Sequence, residues 1–257
     1  MIAKAGTMQI THATASAPGL ANEDYACAGA DWAVVLDGAT APAGVDSGCV
    51  HDVVWLVRRL AAAIATRLLL AGESTLPDLL AAAIEDTARA HTDTCDLGTP
   101  DSPSSTVSIV RVRGDALEYL TLGDSPIVVR HPDESFTHIA DDRTSRLPGG
   151  RPYTIELVRA HRNRTGGFWV ASTDPDAAYQ AITGSVPLAQ VSEAGLFTDG
   201  ITRLLDRYGY TWPVIFSALR SGGPARLISL VRAAEREQPH PYGKQHDDAT
   251  AVYLDNR

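Results

Sequence analysis

Ala33-Val34-Val35-Leu36-Asp37-Gly38-Ala39-Thr40 is the stretch on which the reading of this chain turns. Four apolar residues in a row, two of them β-branched, predict a strand buried on both faces. The run stops at an acid followed by glycine. Asp-Gly is a strong turn dipeptide, so a hairpin is one reading. A carboxylate at the mouth of a buried strand, beside a backbone that a ligand can approach closely, is also how metal sites are built. The rest of the chain chooses between the two.

Working outward, a moderately alternating segment, Met8 to Ala15, predicts a first strand, and Pro18-Gly19 leads to the polar cluster Asn22-Glu23-Asp24-Tyr25. Beyond Thr40 lies a Pro/Gly loop, with Asp46 or Ser47 as the expected N-cap of a helix over 50–70 that Gly72 closes. Pro77 opens a second helix, expected from Asp78 to about Cys95, and the two make an antiparallel pair. His91 and Cys95 stand four residues apart on it, a spacing metals use; no second pair lies nearby in sequence, so no zinc site is expected.

Strands are predicted at Val107–Val112, Leu117–Thr121 and Ile127–Arg130, with Gly/Asp turns between them. The second turn, Leu122-Gly123-Asp124-Ser125, lacks the Gly-x-Ser-x-Gly pattern of a nucleophilic serine. Residues 131–165 lose the apolar rhythm and carry Arg143, Arg146, Arg151, Arg159, Arg162 and Arg164. They read as a solvated loop, with an anion-binding flap as the functional alternative. A strand at Phe168–Ala171 and a short helix at Pro175–Ile182 come next. A second apolar run, Ala194-Gly195-Leu196-Phe197, then ends in Thr198-Asp199-Gly200. Helical segments are expected at Ile201–Arg207, Val214–Leu219 and Ala225–Glu237. Asp247-Asp248-Ala249-Thr250 runs into a last strand, Ala251–Leu254.

The totals narrow the function. At 257 residues with no repeat or linker, the simplest organisation is one domain over 1–257, with the candidate flap at 131–165. A net charge of −9 argues against nucleic acid, and no apolar run approaches the roughly 20 residues needed to cross a bilayer. Three cysteines at unrelated spacings and no signal-like N-terminus predict reduced thiols and a cytoplasmic location. The oligomeric state is left open.

Asp37 ends one buried run, Asp199 ends another, and Asp247-Asp248 begins a third. Carboxylates converging at strand ends repel one another in a partly buried cleft, and a hard divalent cation removes that cost. Oxygen-only donors favour Mg²⁺ or Mn²⁺ over zinc. Two such ions ~3.5–4 Å apart lower the pKa of a shared water and clamp a phosphoryl group. Residue chemistry alone thus reaches a metal-assisted phosphohydrolase.

The same motifs, in the same order, resemble the metal-dependent type 2C Ser/Thr protein phosphatases, most closely bacterial-type members. Asn22-Glu23-Asp24 is similar to the family's first acidic motif and Val35-Leu36-Asp37-Gly38 to its metal-bridging motif. Ser104-Ser105-Thr106-Val107 resembles the start of a central strand, and Leu122-Gly123-Asp124-Ser125 the Gly-Asp-Ser motif. Phe197-Thr198-Asp199-Gly200 resembles the second Asp-Gly site, and Asp247-Asp248-Ala249-Thr250 the closing motif, whose second position is often Asn.

The resemblance implies an α+β fold, a four-layer α/β/β/α sandwich of two antiparallel sheets flanked by helix pairs. It implies a water, bridging two Mn²⁺ or Mg²⁺ ions, that attacks phosphorus directly. By position, Asp37 bridges the ions and Gly38 offers its carbonyl; Asp199 and Asp247 hold one ion. Glu23 and Asp24 act largely through water, and Asp124 serves a weaker third ion. Substrates are then phosphoserine or phosphothreonine in a phosphoprotein, with a small phosphorylated metabolite or a non-catalytic regulatory module as alternatives. The chain departs from the family where a phosphate-gripping Arg is common and Gly19 stands, at Pro126 after Gly-Asp-Ser, and at Ala39-Thr40-Ala41-Pro42, where a glycine pair is usual. An Arg from 143–164 is the expected replacement for the missing clamp.

Overall fold

The computed structural model describes residues 8–41, 44–70, 72–150, 152–239 and 244–256. The quoted run forms β3 (Trp32–Ala39), and it is buried on both faces as its sequence demands. Trp32, Val34 and Leu36 face a helical layer, while Ala33 and Val35 face a second sheet. Period-two alternation thus commits one strand to two cores at once.

β3 lies in a five-stranded antiparallel sheet. Its order is β2 (Asp24–Ala28), β3, β4 (Ser104–Arg113), β5 (Ala116–Leu122), β8 (Ile182–Pro187). The facing sheet runs β1 (Met8–Ala15), β10 (Ala249–Asn256), β9 (Glu193–Phe197), β6 (Ile127–Arg130), β7 (Phe136–Ile139). Between them Val35, Val110, Leu117, Ile127, Leu196 and Val252 make a dry core. Two further cores close the outer faces. Helices α1 (Val53–Leu69) and α2 (Leu76–Arg89) cover the first sheet. Helices α4 (Asp199–Asp206) and α5 (Trp212–Glu237) cover the second. The α/β/β/α sandwich is the one expected.

Several boundaries differ from expectation, each for a local reason. The N-cap of α1 is Asp52, not Asp46 or Ser47: its Oδ1 accepts from the Trp55 amide at 2.7 Å. Thr75 caps α2, which ends at Arg89 and leaves His91 and Cys95 in turns beyond it. β2 begins inside the polar cluster Asn22–Tyr25, because Asp24 pairs with Asp37 across the sheet. The expected strand at Phe168–Ala171 makes only isolated bridges, Arg162 with Phe168 and Ser105 with Ala171. The edge strand β8, rich in exposed residues, carried no apolar signal. The last two expected helices are longer than expected and meet at a break at Gly223 (φ 68°), within the continuous span of α5 (Trp212–Glu237), where Pro224 cannot donate a backbone hydrogen bond.

The solvated-loop reading of 131–165 needs the largest correction. This stretch holds β7, a 3₁₀ turn at Thr144–Arg146 and helix α3 (Ile155–His161), capped by Thr154. Leu147, Phe168 and Val170 pack with Tyr153, Leu157 and Val158 into a small core of its own. Arg159 reaches Asp101, and Arg162 donates to the Pro100 carbonyl at 3.0 Å, tying α3 to the loop before β4. It is a folded wall, not a solvated loop.

Candidate metal centre and catalytic cleft

Strand pairing brings the acids together. Asp37, near the end of β3, stands across from Asp24 on β2 and Thr106 on β4. In the other sheet β9 and β10 are neighbours, so the residues just after one and just before the other meet. Thr198 donates its amide to the Thr250 carbonyl at 3.1 Å and receives the Thr250 amide on Oγ1 at 3.0 Å. That fixes Asp199, in the first turn of α4, beside the 247–248 segment. The two sheets face each other, and the Asp199 amide lies 3.4 Å from Asp37 Oδ2.

Asp37, Gly38, Asp124, Asp199, Asp247 and Glu23 all line one cavity of about 600 Å³. Asp24 does not line it. It sits beneath the floor, 4% exposed, and accepts from Thr198 Oγ1 at 2.8 Å. Glu23 is at the rim, where Thr40 Oγ1 donates to it. Two glycines are steric necessities. A Cβ on Gly38 would stand 2.3 Å from Val53 Cγ1 and 2.5 Å from the Glu23 carbonyl oxygen. One on Gly200 would stand 1.8 Å from the Asp248 carbonyl oxygen. The Asp-Gly pairs thus let each acid sit where backbones pass too close for a side chain.

The electrostatics show what the floor favours. Burial, then the charges of Asp24, Asp199, Asp124 and Asp247, holds the Asp37 carboxyl well above the ordinary carboxylate range. Asp24 is pushed up to about 7 by burial, against hydrogen bonds from Thr250 and Thr198 that favour the charged form. Asp199 rises to about 6 through burial and the charges of Asp247 and Asp124, with Arg203 and Lys244 opposing. Like charges crowded in a desolvated place take up protons unless a cation replaces them. The donors are all oxygens, which suits a hard divalent ion.

Asp247 is held from behind. Arg203, 3% exposed on its side chain, donates through Nη2 to Asp247 Oδ2 at 2.8 Å and through Nη1 to Glu235 Oε1 at 2.9 Å. Glu235, wholly buried, also receives Arg232 at 2.9 Å and lies 2.7 Å from His246 Nδ1. Arg232 donates onward to the Asp247 carbonyl at 2.7 Å. Asp248, by contrast, points away from the cleft. It accepts the Ala17 amide at 2.7 Å and the Glu23 amide at 2.6 Å, clamping the loop that presents the first acids. Sequence reasoning missed Arg203, Glu235 and Arg232, whose charges look like surface residues of helical stretches.

The walls are mixed. Tyr153, Ile155, Val158, Phe168 and Val170 give an apolar side above the acidic floor. Of the arginines expected to supply a clamp, Arg143 is held by Asp141 and the Gln180 carbonyl, Arg146 by Asp142 and Arg159 by Asp101. Arg164 is exposed and outside the cavity lining. Arg151 lies outside the described residues. Among the described residues Arg162 is the one arginine that lines the cleft, with Lys244 as the other cation. Gly19 occupies a turn at φ 78°, a conformation that disfavours any side chain there.

A two-sheet sandwich with an oxygen-donor floor at one end defines the class of molecule, and sequence comparison gives it a family. The chain belongs to the protein phosphatase 2C family, whose model matches residues 13–231. No curated protein sequence matches it significantly. Solved structures share the fold. The catalytic domain of the serine/threonine protein phosphatase PstP in complex with two manganese ions is 19% identical, with a TM-score of 0.62 over 97% of this chain and 98% of that one. The Mycobacterium tuberculosis serine/threonine phosphatase PstP/Ppp gives 19% identity and a TM-score of 0.64 over 97% and 98% of the two chains. The phosphatase MsPP from Mycobacterium smegmatis, in complex with cacodylate, gives 17% and 0.63 over 98% and 100%.

Proposed function

We propose that this chain is a metal-dependent phosphatase of phosphoserine and phosphothreonine in proteins, and that its cleft is the active site. The observation that carries this reading is the convergence of Asp37, Asp199, Asp247 and Asp124 with the Gly38 backbone on one cavity floor. Family membership and the two manganese ions of the PstP domain support it.

Asp37, the Gly38 carbonyl, Asp199 and Asp247 would hold two Mn²⁺ or Mg²⁺ ions, with Asp124 serving a third. Ions held there supply a nucleophilic water at neutral pH and positive charge against the phosphoryl oxygens. The chain's own groups do the rest. Arg203 and Lys244 orient Asp247. Glu23, fixed through its amide by Asp248, faces the rim, where its carboxylate would accept hydrogen bonds from metal-bound water. Arg162 reaches the cleft from α3 and grips a phosphate, replacing the clamp absent at Gly19. The apolar side from Tyr153 to Val170 receives the carbon skeleton next to the phosphorylated residue, which favours a peptide over a small polar metabolite.

Hydrolysis of a phosphothreonine peptide in Mn²⁺, abolished by EDTA and by Asp199→Asn, is the expected result. An inactive wild-type protein across metals and pH would leave the fold with a binding role only.

A further inference from the structure

A second Cys-His pair, which the sequence did not show, stands in the loop before α1. Cys49 and His51 come down onto His91 and Cys95, the pair in the turns after α2, and the four ligand atoms lie within 4.8 Å of one another. Cys49 Sγ is 3.5 Å from His91 Nδ1 and 3.7 Å from His51 Nδ1; Cys95 Sγ is 3.4 Å from His51 Nδ1. A zinc ion with bonds of about 2.3 Å to sulfur and 2.0–2.1 Å to nitrogen, in tetrahedral geometry, sets such edges at about 3.5 Å. Three edges of the tetrahedron are therefore in place. The sulfurs are closer, 2.8 Å apart, and would open toward about 3.8 Å around an ion.

The surroundings point the same way. His91 is 3% exposed, and its Nε2 has no hydrogen-bond partner. A buried imidazole whose other nitrogen meets only sulfur is poorly satisfied as a core residue, since sulfur is a weak hydrogen-bond acceptor. A metal bond at Nδ1 would replace that weak sulfur contact with a strong one and make Nε2 the protonated nitrogen. His51 stacks on Trp55 with ring centroids 4.1 Å apart, and His91 tilts against the same indole at 5.1 Å, so both imidazoles are oriented.

We propose that Cys49, His51, His91 and Cys95 form a structural zinc site of the Cys₂His₂ kind. Four protein ligands leave no open position, and mixed thiolate and imidazole donors select zinc over the hard ions of the acidic floor. The site joins two segments that line the cleft. One follows β3 and contributes Thr40 and Ala41; the other precedes β4 and contributes Pro100 and Asp101. The Asp96 amide, bonded to the Gly48 carbonyl at 2.7 Å, marks the same junction. The ion locks the cleft's entrance without touching its chemistry.

Metal analysis of the full chain, purified without chelator and exchanged into Mn²⁺ buffer, tests this. One zinc per chain is expected to persist and to be released by an organomercurial that attacks thiolates. Cobalt in its place should give thiolate-to-metal charge-transfer absorption, which an oxygen-only centre cannot produce. Cys49→Ser and Cys95→Ser should abolish that band, Cys27→Ser should keep it, and Asp199→Asn should keep the zinc. The cobalt titration of the wild type decides the matter even where a serine variant fails to fold. Absence of the thiolate band in reduced wild-type protein would overturn the proposal, and so would a Cys49–Cys95 disulfide in protein purified anaerobically.

Discussion

Arg203 donates to Asp247 at 2.8 Å from a position that solvent does not reach, so a floor acid is held by a cation belonging to the core of α4 and α5. The other arm of the same guanidinium satisfies Glu235, which no water contacts. Removing one partner of such a pair leaves an uncompensated buried charge, at a cost of about 3–5 kcal/mol. Arg203→Met should therefore lower thermal stability strongly. It should also weaken Mn²⁺ activation, because Asp247 loses its orienting donor. Thermal melts and the Mn²⁺ dependence of kcat/KM read the two effects separately. A variant that melts lower but keeps its Mn²⁺ dependence would make Arg203 a purely structural residue.

Asp24 gives a pH-dependent prediction whose sign can be worked out. Its carboxyl titrates near 7 in the folded, metal-free protein, against an ordinary 3.8, because burial disfavours the anion. A raised carboxyl costs nothing below pH 3.8, where folded and unfolded chains are both protonated; the penalty grows as pH rises and is complete above about 7. Asp24→Asn keeps an acceptor for Thr198 and removes the titration. In EDTA the variant should melt above wild type by on the order of 5 °C at pH 8, with the gain shrinking to nothing near pH 4. A gain that is flat across pH would assign it to something other than ionisation.

The parts of this structure legible in sequence are those where one residue's pattern is sufficient. β3 announced itself because a strand buried on both faces needs an unbroken apolar run. Asp37 and Asp199 stood out because each ends such a run and precedes glycine. Illegible were features that depend on which distant segment arrives. Nothing local separates Arg203 or Glu235 from solvated helix charges, since their burial follows from α4 packing on α5. The stretch 131–165 looked structureless because its apolar residues are too few to show a period, yet they meet Phe168 and Val170 in a local core. Cys49-x-His51 carried no signal of its own, because His51 and His91 stand 40 positions apart and only the α1–α2 hairpin brings them together.

Asp248 and Asp247 are adjacent acids with opposite duties, and substitution should separate them. Both oxygens of Asp248 accept backbone amides, from Ala17 and Glu23. Asn keeps one acceptor of matching shape; Ala leaves two amides without a partner, at about 1–3 kcal/mol for each that stays buried. Asp248→Ala should lower stability and slacken the Glu23 loop, whereas Asp248→Asn should retain most of the activity. Asp247→Asn should instead keep the fold and lose activity. Circular dichroism melts alongside phosphopeptide kinetics would show the crossover, and equal losses from the two Asn variants would contradict this division.

Arg162 is the sharpest test of how the cleft holds phosphate. Burial lowers its guanidinium to about 10, which leaves it charged at neutral pH. Nη1 and Nη2 donate to the Pro100 carbonyl at 3.0 Å and Ser172 Oγ at 2.8 Å, which fixes the guanidinium in the cleft wall before substrate arrives. A preorganised donor that meets charge developing in the transition state contributes about a hundredfold or more to kcat. Arg162→Met should lower kcat/KM on a phosphothreonine peptide by about that factor, and Arg162→Lys should recover part of it, since a point charge remains without the bidentate geometry. Arg143→Met and Arg146→Met, whose side chains are engaged by Asp141 and Asp142 away from the floor, should change kcat/KM little. Inorganic phosphate as a product inhibitor separates clamp from scaffold. A clamp predicts that phosphate inhibits Arg162→Met more weakly than wild type; unchanged inhibition with reduced kcat would shift the role to Lys244, the other cation on the cleft wall.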